Sequence, residues 1–231
     1  MPKNKKQKSV VREWVESILI ALVLAVLIRS YIISPFKIPS GSMEDTLLIG
    51  DQIFVDKWTY GPQVLPPMFW DIGFQEGKPF LSLRWPDAWL PLTKKRLPGV
   101  RKPQRGDIVV FVWPVNPTMD FIKRLIAVGG ETVEIKDGGI YIDGKEVTDP
   151  RIKRTYYNCD PLRPVSADWV NNCHYGFEGQ KVLVPKGFDF VMGDNSGNSL
   201  DSRYWGFVPE SSIIGKADII WWPLNRIRIL Q

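Results

Sequence analysis

Phe121-Ile122-Lys123-Arg124-Leu125-Ile126-Ala127-Val128 is the stretch that decides how this chain folds. It is dominated by β-branched and large apolar residues. Pro114 and Pro117 precede it and Gly129-Gly130 follows it. A short apolar run between such breakers reads as a strand. Side chains alternate across a strand, so Phe121, Lys123 and Leu125 share one face and Arg124 points the other way. If the Lys123 face is the core, burial disfavours the ammonium and lowers its pKa toward that of a general base. If the run is an edge strand, the amine instead reaches water along its aliphatic stem. Arg124 stays charged and cannot act as a base.

The same pattern repeats in both directions. Gly106-Asp107 opens the run Ile108 to Val112, and Gly50-Asp51 opens one through Ile53-Phe54-Val55. Thr132 to Lys136 and Ile140 to Ile142 flank Asp137-Gly138-Gly139, a hairpin signal, and Asp143-Gly144 is a second. Val182 to Val184 and Phe188 to Met192 are short strands around Pro185-Lys186-Gly187, and Ile213 to Trp222 closes the set. Residues 150–180 are loop-rich. Many short strands with Gly, Pro and Asp turns, and almost no helical periodicity, predict an all-β domain of antiparallel sheets. Residues 58–104 differ: Trp58, Trp70, Trp85 and Trp89 are crowded together with Pro62, Pro66, Pro67, Pro79, Pro86 and Pro91. Prolines at that density forbid a long helix or a central strand. This is an insertion whose aromatics either cover a core edge or dip into a membrane interface.

The 231 residues suffice for a sizeable core, and 44% hydrophobic with 24% charged residues is a globular balance. Of the net charge of +5, residues 1–16 supply +3, through Lys3, Lys5, Lys6, Lys8 and Arg12 against Glu13 and Glu16. The remainder is too thinly spread for a nucleic-acid face. After this basic start, Ser17 to Ile28 is free of charge; Arg29 interrupts the apolar run and Tyr31-Ile32-Ile33 resumes it. A span needs about 20 residues, which the run reaches only by counting through Arg29, whose long side chain can snorkel to the headgroups. Trp14 and Tyr31 suit the two interfaces, and lysines before the span place the N-terminus inside. No small-x-small cleavage site follows the run, which favours an uncleaved anchor over a signal peptide. The expected organisation is a basic cytoplasmic segment (1–13), a transmembrane anchor (14–35) and an extracytoplasmic β-domain (36–231).

One histidine, His174, rules out a site with several His ligands and leaves a Ser-His-Asp triad dependent on His174 alone. The cysteines, Cys159 and Cys173, lack neighbouring ligands for zinc. In an oxidising compartment they pair, closing a loop worth about 3 kcal/mol; in a reducing one they stay thiols.

Two polar stretches remain. Pro39-Ser40-Gly41-Ser42-Met43 follows the apolar run. It is either a polar loop of ordinary turn residues or a nucleophilic hydroxyl beside backbone that the glycine lets turn tightly. The run from Gly193 to Gly206 is either a connection full of Asx turns or the polar half of a site, with Asp201 and Arg203 close enough to pair. Asp194, Asn195, Asn198 and Asp201 offer oxygens to calcium but lack the EF-hand spacing and its terminal Glu, so no metal is expected.

Four blocks in order carry a resemblance: Pro39-Ser40-Gly41-Ser42-Met43 with Thr46-Leu47; Arg105-Gly106-Asp107-Ile108-Val109-Val110-Phe111; Lys123-Arg124; and Gly193-Asp194-Asn195 with Ser199 and Asp201-Ser202-Arg203. The chain resembles the bacterial type I signal peptidases from the anchor to Trp222. The resemblance implies a signal-peptidase-like β fold and a membrane-bound endopeptidase that removes signal peptides from exported preproteins after small-x-small sites. It uses a Ser/Lys dyad and no cofactor. It implies Ser42 as nucleophile and Lys123 as base, with the Ser42 amide and Ser40 hydroxyl as oxyanion hole. Ser199 is to hydrogen-bond and orient the Lys123 amine. Asp194, Asp201 and Arg203, with Arg124, are to brace the site, and Met43 is to pack beside the substrate pocket. Its partners are preproteins and membrane lipid, its expected state a monomer, and its place the cytoplasmic membrane with the β-domain on the outer face. Asp45 stands where the family commonly has proline, Ser196 where it often has arginine, and Ala127 to Glu131 departs from the usual Gly-x-Pro-Gly-Asp. Two rivals are a self-cleaving repressor, which would carry a DNA-binding helix-turn-helix absent here, and a catalytically silent anchored β-domain that binds exported chains.

Overall fold

The computed structural model describes residues 10–64, 72–75, 78–81, 95–152 and 173–230. A helix, α1 (Val10–Tyr31), comes first, and a strand, β1 (Ile33–Lys37), begins two residues after it. The segment 14–35 expected as anchor is therefore helical only to Tyr31. Ile33 to Pro35 pair instead with β2 (Gln52–Asp56) in an antiparallel ladder running from Ile33–Asp56 to Lys37–Gln52. Pro35 is tolerated because β1 is the edge of its sheet. The charge-free part of α1, Ser17 to Ile28, is 12 residues, or about 18 Å, against a hydrocarbon core of about 30 Å. Among the described residues no helix is long and apolar enough to cross a membrane.

The large sheet has eight strands. Its path runs β1, β2, β13 (Ile213–Trp222), β5 (Ile108–Val112), β6 (Asp120–Val128), β11 (Phe188–Met192) and β12 (Val208–Pro209), with β14 (Arg228–Ile229) added on β13. All of these pairs are antiparallel. The ten-residue β13 holds the sheet together, pairing with β5 near its start and with β2 over the rest. Register shifts at Ile213/Gly215, Ala217/Ile219 and Ile220/Trp222 let it coil from one partner to the other. At the changeover stands Gly215, where a Cβ would collide with the Asp56 carbonyl.

A smaller sheet is ordered β10 (Val182–Leu183), β7 (Thr132–Lys136), β8 (Gly139–Ile142) and β9 (Lys145–Glu146). Its two hairpins turn at Asp137-Gly138 and Asp143-Gly144, all four at positive φ, as type I′ turns demand. In the insertion, β3 (Ile72–Gln75) and β4 (Lys78–Leu81) form a hairpin. Its root is zipped by backbone bonds from Val64 to Lys95, Leu97 to Pro62 and Arg101 to Thr59. Trp70, Trp85 and Trp89 lie outside the described residues, and Trp58 is exposed.

Both faces of β5 are buried. Ile108 and Val110 face a cluster with Ile53, Val55, Met43 and Leu47, while Val109 and Phe111 face one with Leu125, Val191 and Trp205. That is why β5 reads as an unbroken apolar run. The inner residues of β6 are likewise buried on both sides, so Lys123 sits in an interior strand and the edge-strand reading of it is set aside.

Candidate active site

β1 delivers the chain to the buried Ile38, then to a single 3₁₀ turn, Gly41–Met43. Successive side chains on such a turn lie about 120° apart, so Ser42 and Met43 part company. Ser42 faces a cavity of about 530 Å³ that Ser40, Lys123, Ser199, Leu200 and Tyr204 also line. Met43 is fully buried with Ile38, Leu47 and Ile53. Met43, expected to pack beside the substrate pocket, anchors the turn from the core side and is not among the described residues lining the cavity.

Lys123 Nζ donates to Ser42 Oγ at 2.6 Å, across 81 positions of sequence. The lysine is 4% exposed, and its amine lies 5.4 Å from the centroid of the Phe121 ring. Burial lowers its pKa from 10.5 to about 8, with Arg203 pushing the same way and Asp201 and Asp194 pulling back. Ser40 stands at the open mouth of the cavity, its hydroxyl not spent on capping the turn.

Two buried ion pairs frame this arrangement. Arg124, on the opposite face of β6, grips Asp194 through Nε and Nη2, both at 2.7 Å, and donates to the Gly106 carbonyl at 2.6 Å. Thr46 Oγ1 donates to the same Asp194 carboxylate. Asp201 caps the short helix α2 (Ser202–Trp205) through the Arg203 amide. It also takes Arg203 Nε at 2.8 Å and Nη2 at 2.9 Å, and the Gly193 amide at 3.0 Å. Arg203 Nη2 further reaches the Ser196 carbonyl at 2.6 Å. Each pair compensates charges that would otherwise be buried alone; breaking such a pair costs about 3–5 kcal/mol. Both carboxylates are committed to arginines, and among the described residues no acidic, His or Cys cluster could hold a metal ion.

Ser199 is where the expected hydrogen bond fails. Its Oγ lines the cavity, but it is buried without a hydrogen-bond partner, so it does not hold the Lys123 amine. The amine is held by Ser42 itself.

Two residues with no role assigned from sequence complete the site. The Asn195 amide donates to the Ser42 carbonyl at 3.1 Å, and its side chain donates to the Gly41 carbonyl at 3.0 Å and to Glu44 at 2.9 Å. Gly193 lies so close to the nucleophile turn that a Cβ would overlap both Ser199 Oγ and the Ser42 carbonyl oxygen. The only sequence signal for either was their place beside Asp194. His174 is not among the described residues lining the cavity. Cys173 is disulfide-bonded; Cys159 lies outside the described residues.

The family described as "Signal peptidase, peptidase S26" matches residues 11–222. The chain is 31% identical to the signal peptidase I of Pseudomonas fluorescens, over 91% of this chain and 73% of that one. With the signal peptidase I of Aquifex aeolicus the identity is 34%, over 88% and 82%. A crystal structure of a signal peptidase I from Enterococcus faecalis V583 matches at 37% identity and a TM-score of 0.38, over 50% of this chain and 97% of that one.

Proposed function

Because the chain belongs to the signal peptidase I family, hydrolases of peptidase family S26, we propose that it removes N-terminal signal peptides from exported preproteins by a Ser42/Lys123 dyad. The observation that carries this is the 2.6 Å contact between a buried lysine amine and a serine hydroxyl at a cavity wall. A pKa of about 8 leaves roughly a tenth of the lysines neutral at pH 7. Neutral Lys123 takes the Ser42 proton as Oγ attacks the scissile carbonyl. The Ser42 N–H and Ser40 O–H receive the oxyanion, each such donor being worth about 3–4 kcal/mol. Lys123 then passes its proton to the leaving amine, which departs with the mature chain. A water, deprotonated by Lys123, attacks the acyl-enzyme, and the serine leaves with that proton. Asp194–Arg124 and Asp201–Arg203 hold the turn and the strand in register. Ser199, with a free hydroxyl at the same wall, lines the site for substrate after small-x-small sequences.

α1 is the membrane anchor in this reading. Its apolar side chains, Ile18, Leu22, Val23 and Leu27 among them, are exposed, and none of its residues is buried against the domain. The basic start stays cytoplasmic and the β-domain lies on the outer face, where the disulfide at Cys173 is at home. Confining enzyme and the substrate's apolar segment to one bilayer raises their effective concentration. The protein acts as a monomer.

The test is cleavage of a purified preprotein in detergent by wild type, Ser42→Ala and Lys123→Ala, with cut sites read by mass spectrometry. Wild type should cut after a small-x-small site and both variants be slower by at least about 10³-fold. A folded wild type that cuts none of several preproteins would refute the proposal.

A further inference from the structure

No residue of α1 is buried, and its hydrogen bonds to the domain come from its last turn, so its orientation has to come from its C-terminal end. There the last carbonyls of a helix lack intrahelical partners. Here those of Arg29 and Ser30 are taken by the domain. Lys57, the residue after β2, donates from Nζ to the Arg29 carbonyl at 3.0 Å and to the Ser30 carbonyl at 3.3 Å. Ser34 Oγ donates to the same Arg29 carbonyl at 2.7 Å. The Lys57 amide extends the β1–β2 ladder by one bond, to the Ile32 carbonyl at 2.9 Å. Tyr31 reaches the Val64 carbonyl at 3.2 Å. Lys57 is 9% exposed. Burial, then the Arg29 charge, lowers its pKa to about 8, with Asp120 opposing. A cation is held there although its surroundings oppose it, and a cation at a helix C-terminus is what the macrodipole favours.

Beyond this joint the chain has no slack before the nucleophile. β1 is paired over its whole length. Ile38 then bonds to the Asp51 carbonyl and accepts from Gly50, and the Ser42 turn follows. A five-residue strand spans about 17 Å. The hydroxyl thus stands at a set distance from the end of α1, provided the joint at Ser30 to Ile32 cannot swivel.

We propose that Lys57, assisted by Ser34, is a positioning residue: it clamps the end of α1 to the β1–β2 ladder and so fixes the height of Ser42 above the membrane, which selects the bond cut in a membrane-held substrate. This rests on the signal-peptidase reading and on α1 lying in the bilayer. One residue of extended substrate is about 3.4 Å, so a swivel of that size at the helix end moves the neighbouring bond to Ser42. A short peptide free in solution brings itself to the site and has no height to match.

The experiment uses the full chain in vesicles of phosphatidylethanolamine and phosphatidylglycerol, as wild type, Lys57→Met, Lys57→Arg and Ser34→Ala. Each is given a preprotein reconstituted in the same vesicles and a soluble peptide with the same cleavage site. Lys57→Met should cut the peptide within about twofold of wild type. It should cut the preprotein about tenfold more slowly, with secondary products one or two residues from the main site. Lys57→Arg, which keeps two donors for the carbonyls, should restore the single site, and Ser34→Ala should show the same split at about threefold. Preprotein cleavage by Lys57→Met at the wild-type rate and site overturns the inference, as does equal loss on both substrates in Lys57→Met and Ser34→Ala alike. Wild type inactive on both substrates refutes the signal-peptidase reading instead.

Discussion

Replacing Lys123 by methionine should destroy activity and make the protein more stable. Burial sets Lys123 at a pKa of about 8 instead of 10.5, and that difference corresponds to about 3 kcal/mol. Below pH 8 the amine is charged in folded and unfolded chains alike, and the folded state bears the whole penalty. Between about 8 and 10.5 the unfolded chain binds more protons than the folded one, so stability rises with pH and the penalty fades. Methionine matches the length of the stem and needs no proton. Ser42 Oγ loses its partner, at a cost of about 1 kcal/mol. The net gain at pH 7 is about 2 kcal/mol, or roughly 4–8 °C in melting temperature for a domain of this size. At pH 10 the remaining penalty and the lost hydrogen bond nearly cancel, and the difference should vanish. Melting wild type and Lys123→Met side by side at pH 7 and pH 10 decides it. A variant less stable at pH 7, or an advantage equal at both pH values, would show that Lys123 is not a desolvated amine in the folded protein.

The rate itself should follow the same ionisation. With Lys123 at about 8, kcat/KM on a soluble peptide should climb roughly fiftyfold from pH 6 to pH 8 and then level; a flat profile contradicts Lys123 as base. Gly193→Ala should cost about 1–3 kcal/mol and lower peptide cleavage at least tenfold, because the new methyl presses on the Ser42 carbonyl; unchanged melting and rate would argue against that contact. Asp45 has φ of 78° and Thr46 donates to the Met43 carbonyl at 3.1 Å, a turn that needs a positive φ at its third residue. Asp45→Pro should therefore destabilise by more than about 1 kcal/mol, whereas Asp45→Gly should match wild type or exceed it. Equal melting of the proline and glycine variants would refute that turn.

The parts of the fold legible in sequence were those with a local cause. β5 and β6 announce themselves as apolar runs because both their faces are covered. The hairpins at Asp137-Gly138 and Asp143-Gly144 follow from residues that accept positive φ. β1 was hidden because Ile33 and its neighbours continue the apolar helix in composition, and only pairing with β2 makes them a strand. β10 and β11 lie close in sequence yet join different sheets, which no turn signal foretells. In the site, Lys123 and Arg124 were legible as residues on opposite faces of one strand. The bare Ser199 hydroxyl and the buried Met43 were not, since each depends on the direction of a side chain on an irregular turn.

The amino-acid sequence by itself determined the strand-rich domain, the apolar helix ahead of it, and the residue types available for chemistry. Periodicity and turn preference act over a few residues, and one histidine limits the chemistry wherever it lies. Only the tertiary structure decided that Ser42 and Lys123 meet, that Asp194 takes Arg124, and that Lys57 closes the helix end. Those contacts join positions from 28 to 81 residues apart, and the lysine's lowered pKa comes from burial, which no short stretch of sequence can specify.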